Sequence, residues 1–68
     1  MHDARRKSIA KTFAELTALL EDMHGLAVEG QNAEHPFEFY QVLAQSLESG
    51  LGHFAARHAQ IVERVSEL

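Results

Sequence analysis

Cysteine is absent from the 68-residue chain, proline occurs once, glycine four times, and aromatic residues make up 7%. Without cysteine no disulfide can staple so short a chain and no thiolate nucleophile exists, and the lack is compatible with a reducing cytoplasm. No apolar run approaches the roughly 20 residues needed to cross a bilayer. The basic N-terminus has no hydrophobic stretch behind it, so no secretory signal peptide is expected, and the reading is a soluble cytoplasmic protein. There is no glycine-rich phosphate loop and no length for a cleft that keeps an acid and a base dry, so neither an enzyme nor a small-molecule site is expected. Repeats, linkers and low-complexity segments are missing too. Residues 1–68 therefore read as a single small domain, which buries only about 60% of the surface its unfolded form exposes.

The formal charge of −4 is unevenly spread. Arg5, Arg6, Lys7 and Lys11 against Asp3 give residues 1–11 a net +3, whereas residues 12–68 sum to −7. Nucleic-acid binders are normally basic over a whole face, so an acidic remainder argues against one.

The apolar residues repeat at helical intervals. Ile9, Phe13, Leu16, Leu20, Met23 and Ala27 follow one another by 4, 3, 4, 3 and 4 positions, a period near 3.5 that no strand produces. Asp3 caps this first predicted helix and Gly30 stops it, giving a range near 4–29. Phe37, Tyr40, Ala44, Leu47, Leu51, Phe54, His58, Ile61, Val65 and Leu68 continue the repeat in a second helix near 36–67, with Pro36 in its first turn, where a missing N–H costs nothing. A connection of about 30–35 is short enough to set the helices antiparallel, so the fold class is all-α: a two-helix antiparallel hairpin, coiled-coil-like, packing against a partner or against itself.

If the chain turns near residue 33, Leu20 meets Leu47, Leu16 meets Leu51, Phe13 meets Phe54 and Ile9 meets His58. This register leaves Ile61 and Val65 opposite Arg5 and His2, an apolar overhang with no apolar mate. A second stripe of Leu19 and Leu26 on the first helix and Phe39, Leu43 and Val62 on the second widens the apolar face beyond one interface. Leu19, Leu26, Phe39, Leu43, Ile61, Val62 and Val65 are accordingly the predicted partner-binding residues.

Five histidines raise the question of metal. Glu21 and His24 form one Glu-x-x-His step, but a bundle di-metal site needs two such steps and further carboxylates, so no metal ion or cofactor is expected. His58, at a seam position, reads as a partly buried histidine that could make the open end pH-sensitive. Gly50 and Gly52 fall inside the second helix, either as a tolerated weak spot or as a place for another helix to approach closely.

Phe37, Gln41 and the run Leu47-Glu48-Ser49-Gly50-Leu51-Gly52 resemble the second helix of the small needle co-chaperones of type III secretion systems, of the YscE, PscE and AscE type. The match covers about a quarter of the chain, and the first helix agrees only in length and pattern. His53, where relatives tend to be aliphatic, and the longer connection from Gln31 to His35 are departures. The resemblance implies a bacterial, virulence-associated, cytoplasmic co-chaperone without catalytic residues. It implies a tetratricopeptide-like (TPR-like) chaperone as partner and, through it, the needle subunit, which the pair keeps from polymerising before secretion. The residues alone leave open a homo-oligomer, such as a four-helix-bundle dimer that regulates through RNA or a transcription factor.

Overall fold

The computed structural model describes residues 2–66 and contains two α-helices, α1 (His2–Glu29) and α2 (Phe37–Ser66), packed antiparallel, with no strand among the described residues. The expected all-α hairpin is therefore the observed one. Leu68, the last position of the predicted seam, lies outside the described residues. Helix α1 carries Asp3 in its first turn, where a carboxylate meets the positive end of the helix dipole. The β-branched Thr12 and Thr17 are accommodated by donating their hydroxyls to the carbonyls four residues back, Ser8 at 3.1 Å and Phe13 at 3.2 Å.

Helix α1 ends at Glu29, next to Gly30, yet Gly30 is not in the left-handed conformation of the usual glycine cap. The chain leaves through a tightening of its hydrogen bonds: Gly30 N–H reaches Leu26 O, and then Gln31 and Asn32 bond only three residues back, to Val28 and Glu29. The turn folds back on the start of α2. The His35 ring packs 4.5 Å from Phe39, centroid to centroid, and the Tyr40 hydroxyl donates to the Asn32 carbonyl. Pro36 stands just before α2, its carbonyl accepting the first bond of the helix from Phe39 N–H at 2.9 Å.

This folded-back turn changes the register. Gly30 lies beside Leu43, Met23 against Gly50, Glu15 against Arg57 and Ser8 against Arg64, so facing residue numbers add to 72 or 73. The expected value was near 66, about one heptad away. Because residues 31–36 pack on the first turn of α2, that helix starts beyond the end of α1 and its C-terminal half slides down alongside α1. Ile61, expected to overhang, is consequently buried.

The helices are also rotated from the expected seam. Leu16, Leu43 and Ile61 are the buried apolar residues at 6–8% exposure, Thr12 is buried at 4%, and Leu19, Met23, Leu26, Phe39, Leu47 and Phe54 are half-buried around them. Phe13, Leu20 and Leu51, expected in mutual contact inside the seam, are instead more than half exposed. Gly50 accounts for the rotation. A Cβ built there would stand 2.8 Å from Met23 Cγ, so the missing side chain is what lets α1 close on α2 at this level. The helix that approaches Gly50 is thus the chain's own. Gly25 and Gly52 have nothing within 4 Å of a built Cβ. Gly25→Ala and Gly52→Ala are each expected to raise stability by about 0.5–1 kcal/mol, from helix propensity alone, which thermal melts of the two variants will show.

Candidate interaction surface

The hairpin measures 53 × 15 × 11 Å between Cα extremes, and its two long sides differ in chemistry. Phe13, Leu20, Leu51, Val62 and Val65 are 50–60% exposed. Each follows a seam residue by one position: Thr12, Leu19, Gly50, Ile61 and Arg64 respectively. One residue is a rotation of about 100° in the same sense along either chain. Since the helices run in opposite directions, that rotation carries both stripes to the same side of the hairpin. The result is a face built from both helices on which these five apolar side chains stand among Thr17, His24, Glu48 and His58, which follow seam residues in the same way.

Residues that precede the seam by one position lie on the other side, and most of them are polar, with Ala18 and the half-exposed Val42 among them. Lys11, Glu15, Asp22, His53 and Gln60 line two shallow grooves there, with Arg57 and Arg64 between them. Arg57 Nε is 2.8 Å from Glu15 Oε2, an exposed pair worth at most about 1 kcal/mol. Arg64 Nη1 donates to Ser8 Oγ at 2.9 Å and Thr12 Oγ1 at 3.0 Å, and these contacts close the open end of the hairpin. Ser8, Thr12 and Arg64 are polar and lie off the apolar repeat of the sequence, so the repeat gives no sign of this clasp.

The predicted partner residues divide. Leu43 and Ile61 belong to the hairpin's own core, where the shifted register lets α1 cover them. Leu19, Leu26 and Phe39 are half-buried in the same seam. Val62 and Val65 remain on the open face, joined by Phe13, Leu20 and Leu51, which the sequence reading had placed inside. His58 is exposed, not a partly buried seam residue, so the pH-sensitive open end loses its basis. Glu21 and His24 are both exposed, and among the described residues no three histidine or carboxylate side chains gather as a metal site would need. No helix of the described residues is long and apolar enough to cross a membrane.

No family model, curated protein or solved structure matches this chain. The surface is therefore described from its own chemistry: exposed apolar side chains along one side and mostly polar ones along the other.

Proposed function

We propose that the chain is a non-catalytic helical adaptor that docks on a helical partner through its apolar face. In the setting that the sequence resemblance implies, it is a cytoplasmic co-chaperone that joins a tetratricopeptide-like chaperone and helps hold a type III secretion needle subunit monomeric. One observation carries the reading: Phe13, Leu20, Leu51, Val62 and Val65 are all at least half exposed on one side of a hairpin that has no large side chain fully buried among the described residues. A set of that kind is costly in water and favourable against another apolar surface, each side chain contributing about 1.5–3 kcal/mol if wholly covered. The polar side, with its Arg57–Glu15 pair, is suited to stay in solvent.

The test is co-expression with a needle-subunit chaperone of the tetratricopeptide type and its needle subunit, followed by size-exclusion chromatography. A stable complex is expected with the natural chain. The double variant Leu51→Asp, Val65→Asp is expected to abolish it while keeping the circular dichroism of the hairpin, since neither residue belongs to the buried seam. Neutralising Arg6 and Lys7 is expected to matter little at physiological salt, where exposed charges are screened beyond about 8 Å. Retention of the complex by the aspartate pair and its loss on neutralisation would overturn the apolar docking.

A further inference from the structure

We infer that, without a heterologous partner, the apolar face is covered by a second copy of the chain laid antiparallel, so that the turn of each copy lies at the open end of the other. This rests on the reading of that face as a docking surface and adds what occupies it, and in which direction.

Two features argue for the second copy. The first is area. A compact monomer of 7.6 kDa exposes about 4,300 Å² by the usual scaling with mass, whereas this hairpin exposes 5277 Å². The excess, roughly 1,000 Å², is close to the 800 Å² or so that each partner contributes to a stable interface of ordinary size. The radius of gyration agrees: 15.8 Å, against about 11 Å for a compact chain of this length.

The second feature is charge, and it sets the direction. All six Lys and Arg residues lie in residues 1–18 and 55–68, the open half of the hairpin, where they outnumber the acids to give +2. Residues 19–54, the turn half, carry six acids and no Lys or Arg, a net −6. A parallel pair would set acidic half on acidic half along the whole contact. The antiparallel pair sets each basic half on an acidic one, and a two-fold axis running across the helices produces it.

The stripes accept that axis. Placed at the level midway between Phe13 and Leu20, it brings Phe13 of one copy over Leu20 of the other. In the observed register of α1 against α2, the same axis brings Leu51 over Val62. Large apolar side chains thereby meet across both halves of a four-helix bundle, with α1 on α1 and α2 on α2. A heterologous helical partner would compete for this same face, so self-pairing and docking exclude each other.

The absence of cysteine permits a direct measurement of direction. The chain carrying Gln31→Cys, spin-labelled in the turn, is measured by sedimentation equilibrium and by electron–electron dipolar spectroscopy. The expected results are a dimer mass and a label separation of about 40 Å, from a rise of 1.5 Å per residue between opposite ends of the body. The dimer dissociation constant is expected to rise at least tenfold with Arg6→Glu, Lys7→Glu at low salt, and to rise beyond measurement with Phe13→Asp, Leu51→Asp while helicity persists. A 7.6 kDa species at sub-millimolar concentration, or a label separation under about 25 Å, overturns the inference. A monomer that still binds the helical-repeat chaperone overturns self-pairing alone. An antiparallel dimer that never exchanges onto such a chaperone upholds self-pairing and overturns the docking function.

Discussion

Ile61→Ala is expected to destabilise the hairpin by about 2–5 kcal/mol, and Ile61→Asp to leave it unfolded at room temperature. Ile61 is 6% exposed, level with Thr12 on α1, and one of three buried apolar side chains among the described residues. Truncating it removes transfer free energy and leaves a cavity that two straight helices cannot close without breaking the Arg64 clasp one turn away. Total stability for 68 residues is of the order of 3–10 kcal/mol, so the alanine variant loses a large fraction of it. The neighbouring Val62→Ala and Val65→Ala serve as contrast: both residues are at least half exposed, and each variant is expected to stay within about 0.5 kcal/mol of the parent in a monomer. Urea unfolding followed by circular dichroism measures all three at a concentration where association is absent. Equal effects at 61 and 65 would restore the register in which both overhang.

Gly50→Val is the second large effect. Its Cβ would fall 2.8 Å from Cγ and 3.1 Å from Sδ of Met23, and Cγ is near the root of that side chain, where rotation gives little relief. Overpacking of this kind costs about 1–3 kcal/mol, while exchanging glycine for valine in a helix returns only a few tenths, so the clash decides the sign. Met23→Ala in the Gly50→Val background is expected to recover about 1 kcal/mol relative to the same change in the natural chain. That coupling identifies the pair as being in contact. Additive effects would mean that Met23 and Gly50 do not face each other.

Particular residues show why the fold could be read from the sequence and the surface only in part. The seven-residue spacing of Leu16 and Met23 and of Leu47, Phe54 and Ile61, with Gly30 and Pro36 between the helices, suffices for two antiparallel helices, because periodicity and turn chemistry are local properties. The rotation of the helices is not local. Two apolar stripes one position apart, Phe13 with Leu20 and Leu19 with Leu26, satisfy the same periodicity, and what selects between them is the fit of Met23 over Gly50 across the chain. The register depends in turn on how the connection packs, with His35 against Phe39 and Tyr40, which sets the start of α2 and which apolar spacing does not encode. A heptad repeat tolerates a slip of seven, so the spacing alone accepted either register. The seam and the open face were thus partly exchanged, and with them Leu43 and Ile61 against Phe13, Leu20 and Leu51.

The Arg64 clasp answers that ambiguity from the other end of the molecule. Its hydroxyl partners, Ser8 and Thr12, are more than 50 positions away along the chain, so nothing holds the contact until the helices have zipped from the turn to the last turns. Slid by one heptad toward the N-terminus of α1, the Arg64 guanidinium would leave both hydroxyls and come level with Arg5, and Arg57, moved into its place beside Thr12, would give up Glu15. A register error that the heptad repeat tolerates is thereby opposed by the loss of these polar contacts as well as by the uncovering of Ile61. The clasp works as a terminal gauge, satisfied only when the whole length between it and the turn is correctly counted.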